Sequence, residues 1–297
     1  MRISFDEVRK NKSRSVILIS VFIILIGFLG GFIGFIYDNI LFGMIIAIIF
    51  SLIYSIIAYR QGGNMILRLT GARPVTKQEY PHLYHSIEAI AVAAGIKPPK
   101  AYVIEDDAMN AFATGKDPDN AAITVTTGLL KVLNRQELEG VVAHEMAHIK
   151  NYDIRFMMLT TVLIGIVSLL SHFIFRVFLF GGGSNRKDGR VTLILLAIGI
   201  VLVILTPIFS QIIKLAISRK REYMADATAA VLTRYPPGLA SALEKISGDG
   251  RKLKSANSSN AHLFISSPYH KKKKSFFKNL FATHPPIEDR INRLNQM

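Results

Sequence analysis

Long apolar runs separated by polar stretches divide the chain before any motif is considered. Val16 to Ile36 and Ile40 to Tyr59 contain no charged residue. Each is close to the roughly 20 residues a helix needs to cross about 30 Å of hydrocarbon. Only Tyr37, Asp38 and Asn39 lie between them, so a tight helical hairpin is expected. A third run spans Phe156 to Phe175, interrupted by Ser168, Ser171 and His172. A fourth, Val191 to Ile213, contains Pro207 and Gln211. The segment "RVFLFGGGSNRKDGR" joins these two, with Gly181, Gly182 and Gly183 as a flexible turn. A secretory signal peptide is the competing reading of the first run. That run is too long, lacks a clean small-residue cleavage site and is followed at once by a second span. An uncleaved signal anchor is expected instead.

The polar stretches carry the periods of strands and amphipathic helices. In the first stretch, "AYVI" and "AAITVT" are β-rich and "KDPDN" is a turn signal. A small sheet is expected there, with a hairpin across Asn110 to Thr126. Asn134 is a good N-cap, and Glu137 three positions later completes a capping-box pattern, so a helix should start near Arg135. The second stretch opens with "SRKREYMADATAAVL", whose alanine content favours helix. "SGDGRKLKSANSSN" reads as a loop. The expected organisation is an N-terminal membrane hairpin over 1–60 and a first catalytic part over 61–155. A second membrane hairpin over 156–217 and a second catalytic part over 218–297 follow.

Composition sharpens this picture at three points. Half of the 297 residues are hydrophobic, and their concentration in four runs makes the class an integral membrane protein. There is no cysteine, so disulfides and thiolate metal sites are excluded, and any metal must be held by His, Asp or Glu. The formal net charge of +15 is read as basic loops and contact with anionic lipid, not as nucleic-acid binding. Arg2, Arg9, Lys10, Lys12 and Arg14 precede the first run, no Lys or Arg lies in its turn, and Arg60, Arg68, Arg73 and Lys77 follow the second. The N-terminus and both polar segments are therefore expected on the cytoplasmic side. Arg176, Arg186, Lys187 and Arg190 in the later linker leave open whether the second hairpin crosses fully or dips and returns.

The chemistry centres on "GVVAHEMAHIKNYD". On a helix, positions i and i+4 differ by about 40° around the axis, so His144 and His148 share a face and both imidazoles can reach one ion. Glu145 lies beside them, where a carboxylate can take a proton from water without binding the metal. A catalytic zinc usually has three protein ligands. Glu222 in "SRKREYMADA" can be the third, and Asp226, one turn later on the same face, can accept the outer N–H of a ligating histidine. The alternative for Glu222 is a salt bridge to Arg219 or Arg221. The second membrane hairpin occupies most of the gap from His148 to Glu222, so both helices can return to one site beside the bilayer. A His/His/carboxylate set favours one Zn2+, although other divalent ions fit.

Together "HEMAHIKNYD", "SRKREYMADA" and "THPPIEDRI" resemble the HtpX-type membrane zinc metalloproteases, gluzincins related to the eukaryotic prenyl-protein (CAAX) processing proteases. The likeness covers nearly the whole chain. It implies an α+β membrane protein with about four transmembrane helices. A zincin-like cytoplasmic domain would hold a small β-sheet, the HExxH helix and a second ligand helix. It implies His144, His148 and Glu222 as ligands, Glu145 as general base and acid, and Asp226 supporting a histidine, His144 in particular. It implies that Asn110, Ala111, Phe112 and Ala113 bind substrate as an added strand. It implies that His284, held extended by two prolines, stabilises the oxyanion of the attacked carbonyl. A turn residue capping the terminal helix is the other reading of His284. Family membership further implies cleavage of damaged or misassembled membrane proteins at the cytoplasmic face of the bacterial inner membrane.

Other features are set aside. His82 and His85 read as a solvated helix face, His172 as structural, and Lys271 to Lys274 as a solvated or lipid-facing patch. Asp153 has two readings: it supports the metal helix, or, as the last residue of the motif, it bonds only to Arg155 or a neighbouring loop. Two alternatives to the endopeptidase remain. An intramembrane protease would pair HExxH with a Leu-Asp-Gly ligand, and this chain has no such triplet. A non-catalytic scaffold with a structural zinc would need a fourth protein ligand, for which His284 is the available residue.

Overall fold

Two long helices lead the chain in the computed structural model, which describes residues 2–180, 199, 219–257, 260–266 and 285–297. Helix α1 (Arg2–Ile36) and helix α2 (Ile40–Leu69) pack as the expected hairpin. Asp38 supplies the tight turn with a left-handed φ of 58°, and the Asn39 side chain caps α2 by accepting from Phe42 N–H. Close approach of the two helices needs small residues. A Cβ on Gly30 would run into Ala47 and the Gly43 backbone. Ile45, Ile49, Ile53 and Ile56 of α2 are exposed, the outer face expected of a helix solvated by lipid.

Both helices outrun their apolar stretches. α1 begins at Arg2 rather than Val16, and α2 continues past Tyr59 to Leu69. The boundary expected at residues 60 and 61 therefore falls inside a continuous helix. Among the described residues, two helices are long and apolar enough to cross a membrane, over Asp6–Phe35 and Ile40–Leu69. The third apolar run lies on helix α6 (Asp153–Phe180). The fourth run and its glycine linker lie outside the described residues, apart from Gly199.

The polar body is built on a small mixed sheet. Strands β1 (Arg73–Pro74), β2 (Lys100–Ile104), β3 (Ala111–Gly115) and β4 (Ala121–Thr126) lie in the order β1-β2-β4-β3. The β3–β4 hairpin is the one expected, with Ala113 opposite Ile123. β2 and β4 are parallel, joined by a crossover that strand propensity does not reveal, and β1 adds an antiparallel edge. β3 is the other edge. Helices α3 (Pro81–Ala94) and α4 (Thr127–Val132) flank the sheet.

Helix α5 (Arg135–Lys150) crosses the centre of the body, and nearly all of it beyond Glu137 is buried. Helices α7 (Arg219–Thr233) and α8 (Pro236–Gly248) pack against it. A Cβ on Gly140 would meet the Leu239 backbone N at 2.7 Å, so glycine is required where α5 meets α8. Helix α9 (Ile287–Leu294) closes the body. The α5 capping box is fully formed: Glu137 N–H donates to Asn134 Oδ1 at 3.0 Å, and Asn134 N–H donates to Glu137 Oε2 at 2.8 Å. Ser241 and Lys245 of α8 hold the same Glu137 carboxylate. Asn134→Ala is therefore expected to cost about 1 kcal/mol, read as a lower melting temperature of the full chain with unchanged metal content. An unchanged melting temperature would mean the cap is idle.

Candidate metal centre

Helix geometry alone brings His144 and His148 together, because both lie on the face of α5 turned toward α7. Their rings stand edge to face, with centroids 4.8 Å apart and Nε2 atoms 3.2 Å apart. α7 delivers Glu222, whose oxygens lie 3.8 Å from His144 Nε2 and 3.6 Å from His148 Nε2. Ligand atoms of all three residues lie within 4.8 Å of one another, and all three side chains are buried. Glu222 also meets Arg290 at 3.3 Å, a partner its sequence spacing does not suggest.

Each imidazole is held from behind by a carboxylate. His144 Nδ1 lies 2.9 Å from Asp226 Oδ1, and His148 Nδ1 lies 2.9 Å from Asp153 Oδ2. A carboxylate on Nδ1 places the proton there and leaves Nε2 as a lone-pair acceptor. Two such lone pairs then face each other beside the Glu222 oxygens. That arrangement is repulsive unless a proton or a metal cation sits among them. Ligands about 2.05 Å from a tetrahedral zinc stand about 3.3 Å apart. The observed Nε2 separation of 3.2 Å matches, and the Glu222 distances are a few tenths longer.

The charge balance agrees. Among the described residues, Glu145, Asp153, Glu222 and Asp226 are buried around the site with the guanidiniums of Arg221 and Arg290. With all four carboxylates ionised, two negative charges remain in surplus, and buried charge must be compensated. A divalent cation does that. The same surplus acts on His148. Burial pulls its imidazole down, but the Asp153 hydrogen bond and the charges of Glu222, Asp153 and Glu145 hold it up at about 9, so the site favours positive charge. His144 is lowered, chiefly by burial, and stays neutral. Burial pushes the Asp226 carboxyl up, yet Arg290 and His144 more than offset this and keep it below its usual range.

Glu145 is the adjacent buried carboxylate. Desolvation, aided by the Glu222 charge, pushes it up to about 7, while His148, the facing Ala113 backbone N–H of β3 and Arg290 favour its ionised form. A group poised near neutrality can both take and return a proton.

The remaining expected residues fall as follows. The Asn110 amide is engaged, with Nδ2 donating to Ser266 O at 3.2 Å and Oδ1 accepting from Ala111 N–H at 3.0 Å. Phe112 packs edge-on against Phe264 with centroids 5.3 Å apart. These side chains serve the body, and it is the outer backbone edge of Ala111 and Ala113 that faces the site. Ile265 N–H already donates to Ala111 O at 2.9 Å. His284 and Lys271 to Lys274 lie outside the described residues. His82 and His85 are exposed on α3. His172 falls on α6, with its side chain outside the description.

One residue had two readings and one was missed. Asp153 bonds to His148, because Tyr152 takes a left-handed φ of 60° and the chain doubles back after α5. Arg290 is the omission. It is 1% exposed, donates through Nε and Nη2 to the two Asp226 oxygens at 2.8 and 2.7 Å, and donates through Nη1 to Ile265 O at 3.0 Å. A signal was present: Ile287, Arg290, Ile291 and Leu294 form one helical stripe, and an arginine inside an apolar stripe needs a buried partner.

A histidine pair one turn apart on a buried helix, a glutamate from a second helix and a buried carboxylate beside them make up the site of a metal-dependent hydrolase. The peptidase family M48 model matches residues 77–297. A protease HtpX homolog from Dictyoglomus thermophilum is 43% identical over 293 residues, covering 99% of this chain and 94% of that one. Another from Caldanaerobacter subterraneus is 48% identical over 244 residues, covering 81% and 80%. The chain belongs to peptidase family M48 and is a metalloprotease, so its substrates are polypeptides. The crystal structure of S. mikatae Ste24p shares the fold, with TM-score 0.52 and 22% identity. The likeness covers 83% of this chain and 57% of Ste24p.

Proposed function

We propose that the chain is a zinc endopeptidase of the bacterial inner membrane, cleaving misfolded or membrane proteins at the cytoplasmic face. The observation that carries the proposal is the convergence of His144, His148 and Glu222, with Glu145 beside them and a carboxylate behind each imidazole. A Zn2+ held by these three ligands would polarise the scissile carbonyl and activate the water that attacks it. Glu145 takes the proton from that water and returns it to the departing amine. Asp226 and Asp153 keep the two imidazoles in the tautomer that presents Nε2. The substrate lies along Asn110 to Ala113 as an added strand, taking the place of Ile265, whose N–H now donates to Ala111 O. His284 acts on the oxyanion.

The membrane organisation follows from the same chain. Four spans are proposed, the α1–α2 hairpin and a second hairpin that begins with α6. The two catalytic parts on either side of the second hairpin meet at the α5–α7 contact. The basic flanks of the first hairpin support a cytoplasmic site. Metal removal tests the chemistry. Treatment with 1,10-phenanthroline is expected to abolish hydrolysis of an unfolded protein such as casein, and added Zn2+ to restore it. Activity that persists after the metal content has fallen to background would refute the proposal.

A further inference from the structure

A chain of buried polar contacts leads from the proposed metal ligand His148 into the first membrane helix. Asp153 Oδ2 meets His148 Nδ1, and Asp153 Oδ1 accepts from Asn11 Nδ2 at 2.7 Å. The same amide donates to the Asn151 carbonyl at 2.9 Å. Arg221, next to Glu222 on α7, approaches Asp153 Oδ1 and Asn11 Oδ1, each at 3.4 Å. Asn11 is fully buried, and Asp153 and Arg221 nearly so. It lies 140 residues or more from the turn it grips.

That turn needs holding. Tyr152 adopts a left-handed φ of 60°, a conformation bulky side chains avoid. Asn11 bonds the residue on each side of it. Lys12 Nζ, one position along α1, sits 4.5 Å from the centre of the Tyr152 ring, and Arg155 covers the same ring at 4.9 Å. Glu7, Asn11 and Ser15 continue, one turn at a time, the buried stripe that Leu18, Phe22 and Ile26 form further along α1. Apolar burial along Leu18, Phe22 and Ile26 docks the helix. A buried amide is not needed for docking and costs desolvation unless its bonds are specific.

We infer that Asn11 is a positioning residue for the metal centre: by clamping Asp153 and the Asn151 carbonyl, it fixes the carboxylate that orients His148. The Asn11 contacts, rather than the apolar docking of the helix as such, thereby set the affinity and geometry of the metal site. A chain without these contacts would bind its metal weakly and hold it in a distorted site. The inference rests on His148 being a ligand.

The test uses the full chain in lipid nanodiscs, with two readouts other than activity. Zinc affinity is measured by competition with a chromophoric chelator, and the visible spectrum of the Co2+-substituted protein reports coordination geometry. Asn11→Ala is expected to weaken zinc binding on the order of ten- to a hundred-fold and to shift the cobalt bands. Asn11→Leu keeps the branched outline of asparagine while removing every hydrogen bond, so it should give the same losses even if the alanine variant folds poorly. Leu18→Ala is the control for docking alone; it should lower the melting temperature and leave both metal readouts at wild-type values. Asn11 variants with wild-type affinity and spectrum would overturn the inference. So would a Leu18→Ala chain that loses zinc affinity as severely as they do. A wild-type chain that takes up neither metal would instead refute the proposed metal centre itself.

Discussion

Glu145→Gln is expected to lower the turnover number by a hundred- to ten-thousand-fold while the chain keeps its full complement of metal. Glutamine has the same shape and can still accept the facing Ala113 N–H, but it cannot carry the proton from water to the leaving amine. Glu145 is not among the three residues whose ligand atoms converge, so metal uptake should be untouched. Hydrolysis of a quenched fluorescent peptide gives the first quantity and elemental analysis the second. If the wild-type chain digests itself during purification, the variant should remain intact. A variant with turnover within a few-fold of wild type would remove Glu145 from the mechanism. One that lost its metal would place Glu145 among the ligands instead.

The second large effect concerns stability. Arg290 is buried against Asp226 and Glu222, so Arg290→Ala leaves two carboxylates without their nearest buried cation. Breaking a buried pair by removing one partner costs about 3–5 kcal/mol. For a chain of this size the melting temperature should fall on the order of 10 °C. Arg290→Lys should recover little, because the two parallel bonds to Asp226 and the third to Ile265 O need a planar fork of donors. Thermal unfolding of the full chain in detergent measures this. A melting temperature within a degree or two of wild type would show that the guanidinium is not what balances these carboxylates.

Much of the architecture is local and therefore legible. Uncharged runs near the length of a bilayer span marked the α1–α2 hairpin, and its three-residue turn appears where the spacing put it. Asn134 and Glu137 marked the start of α5, because a capping box is satisfied within four consecutive residues. The i, i+4 spacing of His144 and His148 put both on one face for the same reason. Glu222 could be sought because a catalytic zinc needs a third ligand, and Asp226 because it lies one turn beyond. Helix ends were less legible. α1 runs to Arg2 and α2 to Leu69, since a helix does not stop where hydrophobicity stops unless a cap or a proline ends it.

The partners of buried charges required the fold. Asp153 read either as support for the metal helix or as a residue for Arg155 or a loop, because nothing in "HIKNYDIR" announces that Tyr152 will turn left-handed and send the carboxylate back to His148. Arg290 and Asn11 drew no assignment from the sequence, because their partners lie 64 and 142 residues away. By itself the sequence determined the membrane hairpin, the helix that carries the histidine pair, and the supply of carboxylates within reach of a metal. Those depend on hydrophobic periodicity and on spacings of three or four residues. Only the tertiary structure decided that Asp153 stands behind His148, which arginines balance the carboxylates, and that the first membrane helix grips the turn beside the site. Apart from the Asp153–His148 pair, which a left-handed turn closes across five residues, those contacts join positions 64 to 142 residues apart, and they are strong because water is excluded around charges that no local pattern can place.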